Sequence, residues 1–445
     1  MTHAACPALL ISAPSSGQGK TTVAAALARL HARCGARVRA FKCGPDFLDP
    51  RWLELASGAP VHPLDLWMTG EGDCARRLHQ AAQEAQLLIV EGVMGLFDGE
   101  PSAADLAGRF GIPVLPVING SAMAGTFGAL ALGLREYRSG LAWAGVLANR
   151  VAGERHAAML QSSLRPADAW LGALPRRQEL ALPERHLGLV AVDEMDDAMQ
   201  RLDAAADALA ETPLGRMSLA DLQRWSVRFD APPAVAQAPV RPLAGRTVAV
   251  ARDAAFCFIY AGNIDCLREL GAQVAYFSPL AGEPLPPCDA LWVPGGYPEL
   301  HAGALSNATR LRQALHDHVE QGKPVWAECG GMMALFEQLV TADGHHHAMW
   351  GLLPGKTTMA SRLAGLGPQQ LALEHGVLRG HTFHYSVCET VLEPQARTER
   401  PAGSGRNGGE AVYRRRALQA SYFHAWFPSS PEAAAQLFLP QEEIA

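Results

Sequence analysis

The stretch from Ala8 to Gly35 reads as an apolar run, a glycine-rich loop and a helix in immediate succession, and that order admits few folds. Ala8–Ser12 is a strand, Ala13-Pro14-Ser15-Ser16-Gly17-Gln18-Gly19-Lys20-Thr21-Thr22 is the loop, and VAAALARLHARC is a helix stopped by Gly35. Gly17 and Gly19 let successive backbone N–H groups converge on phosphate oxygens, and the helix N-terminus adds positive potential. Lys20 can reach the β- and γ-phosphates, Thr21 can ligate Mg²⁺, and Thr22 completes the G-x-G-K-T-T ending of an ATP-binding loop. The pattern departs at Pro14, where such loops have Gly or Ala. The competing reading is an ordinary glycine turn.

Short apolar runs then alternate with helical segments to about residue 190: Val38–Lys42, Leu87–Glu91, Val114–Ile118, Gly145–Asn149 and Trp170–Leu174. This is the pattern of an α/β domain with a mostly parallel sheet, whose ligands gather at the strand C-termini. Lys42, Glu91 and Asn149 fall at that edge. Asp46, in KCGPDFLDP, and Glu91, in VEGVMGLFDG, are candidate Mg²⁺ ligands with Thr21, because Mg²⁺ bridging transferring phosphates needs oxygen donors. Either carboxylate alone reads equally well as a turn residue or helix cap. Residues 193–224 are Ala/Leu-rich with helical periodicity and no evident chemistry. Four prolines within 230–245 make that stretch a linker between a domain at 1–229 and a second at 246–445. The second repeats the α/β pattern: strands Thr247–Ala251, Val274–Phe277, Ala290–Val293 and Pro324–Ala327, with a long helix from Ala304 to Glu320 before the last.

After Ala327 come Glu328-Cys329-Gly330-Gly331 and a helix through MMALFEQLV. Strand, sharp turn and helix with the reactive side chain at the apex is the geometry of a nucleophile elbow. A helix N-terminus favours thiolate at Cys329. Gly295 and Gly296, in VPGGYPE, can turn backbone N–H groups toward an oxyanion. His424, among the aromatics of SYFHAW, is the candidate base. His381 and His384 in RGHTFHYS also compete, while His345–His347 read as a solvated turn.

Composition removes several classes. Lys+Arg total 38 against 44 Asp+Glu, a net charge of −6, and no run of five like charges occurs, which argues against nucleic-acid or anionic-membrane partners. No stretch reaches the roughly 18 apolar residues of a membrane span, and the apolar start is too short for a signal peptide. Nine cysteines, an odd number with no C-x-x-C pair, speak against a disulfide framework or zinc site and for a reducing cytoplasm.

V-x-x-E-C-G-G-M, preceded by P-G-G-Y-P-E-L and followed by Y-F-H, resembles the cobalamin-biosynthesis branch of class I glutamine amidotransferases. Adding S-S-G-x-G-K-T-T, G-P-D-F-L-D-P, V-E-G-V-M-G-L-F-D-G, L-P-E-R-H-L-G-L and R-G-H-x-F-H-Y-S, nearly the whole chain resembles the a,c-diamide synthases of cobyrinic or hydrogenobyrinic acid. The resemblance implies a dethiobiotin-synthetase-like domain binding ATP and a corrinoid, followed by a class I glutamine amidotransferase domain, with small-molecule partners only. Homodimers are common among such enzymes. Lys20 and Thr21 match the phosphate and Mg²⁺ positions, and Asp46, Glu91 and Asp98 match acidic positions linked to metal binding and substrate activation. Cys329 becomes the nucleophile toward glutamine and His424 its base. The wider class has an acidic residue two positions after that histidine; here Trp426 stands there, which implies a Cys-His dyad whose imidazole is oriented by a group not identified from sequence. The implied chemistry is phosphorylation of a corrin carboxylate by ATP, then displacement of phosphate by glutamine-derived ammonia, twice in succession. One rival is a cobyric acid synthase-like enzyme acting on other carboxylates. The other is a partition-type P-loop ATPase, whose additional loop lysine is replaced here by Ser15.

Overall fold

The computed structural model describes residues 3–180, 182, 197–231, 240–401 and 408–440. The string L-P-E-R-H-L-G-L beyond Leu182, the beginning of the 193–224 segment and the centre of the 230–245 linker lie outside the described residues. The chain divides into two compact units, 1–234 and 235–445.

In the first unit the strands are β1 (His3–Ser12), β2 (Val38–Cys43), β3 (His62–Leu64), β4 (Leu87–Glu91), β5 (Val114–Asn119), β6 (Val146–Val151), β7 (Trp170–Pro175) and β8 (Ser226–Asp230). They pair in the order β3-β2-β4-β1-β5-β6-β7, parallel throughout, and β8 runs antiparallel to the first half of β1. Every residue of β4 is buried, as expected where helices cover both faces of a parallel sheet. Along β1, Leu9 and Ile11 enter one core and Ala8 and Leu10 the other, so a single strand anchors both layers. The sequence order reverses about β1, with β4 on one side and β5 on the other. Ligands bind in open sheets at such a switch point. β8 was not expected from sequence: only Val227 and Phe229 of its five residues face inward, too short an alternation to stand out.

The second unit contains β9 (Thr247–Ala251), β10 (Gln273–Phe277), β11 (Ala290–Val293), β12 (Val325–Glu328), β13 (Phe336–Val340), β14 (His346–Ala348), β15 (Leu353–Met359), β16 (Gly365–Leu373), β17 (Gly376–His384), β18 (Ser386–Glu389), β19 (Ala396–Arg397), β20 (Ala411–Arg415), β21 (Leu418–Ser421) and β22 (His424–Trp426). The main sheet runs β10-β9-β11-β12-β21-β20-β19, parallel through β21 and antiparallel beyond. Two smaller sheets are ordered β14-β13-β15-β18 and β16-β17-β22.

Two expectations for this unit need correction. The helix after Cys329 covers only Gly330–Leu335, and FEQLV is strand β13, drawn into parallel pairing with β15 and antiparallel pairing with β14. Local apolar periodicity does not separate a short helix from a strand when tertiary pairing decides. The helix expected over Ala304–Glu320 is broken at Ala308 (ψ 56°) into Ala302–Asn307 and Thr309–Glu320.

Candidate active sites

The phosphate loop joins β1 to the helix Lys20–Arg33 as expected. Gly17 (φ 74°) and Gly19 (φ 96°) take the left-handed conformation that glycine adopts without steric cost. Gly19 has a second reason to lack a side chain: a Cβ there would lie 2.1 Å from Asn149 Nδ2, which donates 2.8 Å to the Gln18 carbonyl. Lys20 Nζ donates to the carbonyls of Ser15 (3.1 Å) and Met94 (2.7 Å). Burial and the neighbouring Lys42 ammonium lower its pKa to about 8.

Thr21 Oγ1 donates 2.6 Å to Glu91 Oε1, bringing two of the three expected metal ligands together. Glu91 Oε2 is buried without a hydrogen-bond partner among the described residues. A hydroxyl beside a carboxylate with a spare oxygen is an oxygen donor set that fits Mg²⁺, which binds through one or two protein groups plus substrate phosphates. No group of three or more His, Cys, Asp or Glu among the described residues forms a metal cage by itself. Asp46 lies in the same neighbourhood. Its Oδ1 accepts the N–H groups of Leu48 and Asp49 at the start of the helix Asp49–Ser57, and its Oδ2 lies 3.8 Å from Lys42 Nζ. Asp98 Oδ2 accepts the Gly95 N–H at 2.8 Å, and Leu96 N–H donates 2.8 Å to the Ala13 carbonyl, so the glycine-rich string lies against the phosphate loop.

Sequence gave no role to Lys42 or Asp49. Lys42 Nζ lies 2.6 Å from Asp49 and 3.0 Å from Glu91. Burial alone would lower its pKa, but Glu91, Asp49 and Asp46 raise it above the ordinary lysine range, so the ammonium stays charged. Its strand-end position was the available clue.

In the second unit Cys329 stands at φ 46°, ψ −110°, a left-handed φ that is unfavourable for any residue with a Cβ and marks a nucleophile elbow. Its N–H donates 2.7 Å to the Ser421 carbonyl, and its Sγ faces the Phe383 carbonyl at 4.0 Å. The Gly295–Gly296 backbone is wedged against His424 and against Gly330, the residue that follows Cys329. A Cβ at Gly295 would be 2.4 Å from His424 Cε1, and a Cβ at Gly330 would be 2.9 Å from the Gly296 nitrogen. Cys329, His424, Gly295 and Gly296 therefore form one cluster.

The electrostatics differ from the sequence expectation. Burial pushes the Cys329 thiol up, reinforced by Glu299, and it outweighs the six-residue helix. Burial, with His381 and His384 nearby, holds His424 well below the ordinary histidine range. The resting pair is thus neutral thiol and neutral imidazole.

His381 stacks on His424 with centroids 5.0 Å apart, and His384 stacks on Tyr422 at 3.7 Å and meets Glu410 at 3.2 Å. His345 is exposed and paired with Asp343, away from this cluster's buried residues. Trp426, in the place of the usual acid, packs edge-on against Tyr260. Glu328 carries a carboxylate that sequence left without a role: Oε1 accepts from Trp326 Nε1 (2.7 Å) and the Ala425 N–H (3.2 Å), and Oε2 lies 3.9 Å from His424 Nδ1. The clue was a charge ending the otherwise apolar, fully buried strand β12.

These sites define a P-loop nucleotide-binding domain and a glutamine amidotransferase domain in one chain. Residues 9–190 match the CobQ/CobB/MinD/ParA nucleotide binding domain, and residues 247–432 match the CobB/CobQ-like glutamine amidotransferase domain. The chain is 55% identical over its full length to the full hydrogenobyrinate a,c-diamide synthase of Pseudomonas aeruginosa. It is also 55% identical to that of Stutzerimonas stutzeri, over 99% of this chain and all of the relative. Identity to the cobyrinate a,c-diamide synthase of Herminiimonas arsenicoxydans is 49%, over 97% of each chain. The chain belongs to the family of cobyrinate and hydrogenobyrinate a,c-diamide synthases. No helix among the described residues is long and apolar enough to cross a membrane.

Proposed function

We propose that the protein is a ligase that converts the a and c carboxylates of hydrogenobyrinic acid to amides, consuming ATP and glutamine. The full-length match at 55% identity to hydrogenobyrinate a,c-diamide synthase carries this reading. The 49% match to a cobyrinate enzyme keeps the cobalt-containing ring as the second candidate.

The first unit is the synthetase. The phosphate loop, with Gly17, Gly19, Lys20, Thr21 and Thr22, holds ATP, and the substrate carboxylate attacks the γ-phosphorus to give an acyl phosphate and ADP. Thr21 and Glu91, with Asp46 nearby, would hold Mg²⁺, which when bound neutralises phosphate charge. Lys20, surrounded by Lys42, Glu91, Asp49 and Asp98, positions the phosphates, and Asp98, close to Lys20, is assigned to presenting the corrinoid carboxylate. The second unit is the glutaminase. Cys329 Sγ attacks the side-chain amide carbon of glutamine while His424 takes the thiol proton, and the Gly295–Gly296 backbone stabilises the oxyanion. Breaking the C–N bond returns the proton to the departing ammonia, and water hydrolyses the thioester to glutamate. Ammonia then attacks the acyl phosphate, forming the amide and releasing phosphate. All nine cysteines are free thiols, in keeping with a cytoplasmic enzyme.

Cys329→Ala is expected to abolish glutamine-dependent amidation while amidation with high ammonium persists, and Lys20→Ala to lose both. Retention of glutamine use by Cys329→Ala would overturn the nucleophile assignment. Parallel assays on the metal-free and cobalt-containing acids, with the products mapped, decide the substrate and separate this enzyme from one amidating other carboxylates.

A further inference from the structure

We propose that Glu328, the residue immediately before the nucleophile, is the positioning carboxylate of His424, replacing the acid that related amidotransferases carry two residues after the histidine. This inference rests on the glutaminase reading of Cys329 and His424 given above.

The geometry is specific. Glu328 ends β12, and its backbone pairs with Ser421 of β21 just before the chain enters the elbow. Its side chain is fully buried, a costly place for a carboxylate unless it is held and used. Oε1 is fixed by two donors, the Trp326 indole and the backbone N–H of Ala425, the residue after His424. The second bond ties Glu328 to the strand that carries the histidine. Oε2 is left facing His424 Nδ1 at 3.9 Å, an ion-pair separation rather than a hydrogen bond. The other charged or titratable groups around the pair do not substitute for it. His381 and His384 disfavour a proton on His424, Glu410 is engaged by His384, and Glu299 is set against Cys329.

Burial pushes the Glu328 carboxyl up to about 8, so at neutral pH only part of the population is ionised, and that ionised fraction is the one that can offset a cation formed beside it. His424 becomes that cation when it takes the Cys329 proton. The carboxylate therefore acts through the imidazole, holding the ring and offsetting the imidazolium charge in a buried pocket, and does not touch glutamine.

The test is Glu328→Gln, whose amide oxygen still accepts from Trp326 and Ala425 but carries no charge. Glutaminase kcat is expected to fall by roughly 10²-fold, the scale of an acid–base contribution, with the KM for glutamine unchanged. Alkylation of Cys329 by iodoacetamide at fixed pH should slow in parallel. Glu328→Asp, which keeps the charge on a shorter stem, should recover part of both losses, a result that loss of packing alone would not give. Wild-type kcat and alkylation rate in Glu328→Gln, or losses in Glu328→Asp as large as in Glu328→Gln, would overturn the proposal. Cys329→Ala in the same assay separates the two readings: if it keeps glutaminase activity, the nucleophile assignment fails, whereas its loss beside an intact Glu328→Gln removes only the role given to Glu328.

Discussion

The ammonium of Lys42 lies 3.0 Å from the carboxylate of Glu91 where neither side chain is measurably wet, at 2% and 0% exposure. Removing one partner of such a pair leaves the other buried and uncompensated, which costs about 3–5 kcal/mol. Lys42→Met is therefore expected to destabilise the first unit by about that amount in chemical denaturation, leaving the transition of the second unit in place. An unchanged first transition would show that Glu91 is neutral at rest.

Gly295→Ala tests the packing of the glutaminase cluster while keeping the Cys329 and His424 side chains themselves unchanged. The new methyl would overlap His424 Cε1, so the ring must move. A displacement of about 1 Å typically costs about 10²-fold in rate. Glutamine-dependent turnover should drop by about that factor while ammonium-dependent amidation persists, which steady-state assays with either nitrogen source would reveal. Equal losses with both donors would contradict a local effect.

For the phosphate loop, Gly19→Ala meets two obstacles: a left-handed φ of 96° and a clash with Asn149. The backbone strain alone is worth roughly 1–2 kcal/mol. A raised KM for ATP is expected, with glutaminase activity unaffected. Nucleotide titration calorimetry on the variant checks it, and wild-type affinity would mean that the loop rearranges freely.

Stability of the second unit should depend on pH with opposite slopes on the two sides. Burial holds His318 down at about 4 and His381 at about 3, and holds His424 well below its ordinary range. As pH falls below about 6.5 the unfolded chain binds protons that these native histidines refuse, so each removes up to about 1.4 kcal/mol per pH unit. Glu328, raised by burial to about 8, and Glu299, raised to about 7, work the other way. From the ordinary glutamate range up to those values the native state keeps protons that the unfolded state releases, so stability falls as pH rises. The two groups oppose one another between roughly pH 4.5 and 6.5, and each acts alone outside it. Calorimetry should find the highest Tm of this unit in that interval and lower values at pH 4 and 8. A Tm that rises steadily to pH 8 would refute the neutral carboxyls.

Much of this was legible in sequence because several candidate site residues are fixed by local pattern. A strand, a glycine loop and Lys20-Thr21 dictate their own geometry, and so does Cys329 between β12 and a glycine pair. The expectation failed where tertiary pairing overrules local preference: FEQLV became β13, and Ser226–Asp230 became a strand only because β1 offers it a partner. Lys42, Asp49 and Glu328 are legible only as charges at a strand end or a helix start, for a different reason. Their partners are set by distances between chain segments brought together in the fold, and no spacing along the chain encodes the 3.9 Å from Glu328 to His424.

The antiparallel pairing of β8 with β1 joins residues 3–7 to residues 226–230. Because that pairing is long-range, the first strand of the nascent chain cannot gain its last neighbour until the ribosome has made almost the entire first unit. Val227 and Phe229 are then the final apolar side chains delivered to the core that Ala4 and Cys6 began. The unit is in this sense clasped shut by its own ending, and the amidotransferase sequence begins to emerge only after that clasp has been synthesised.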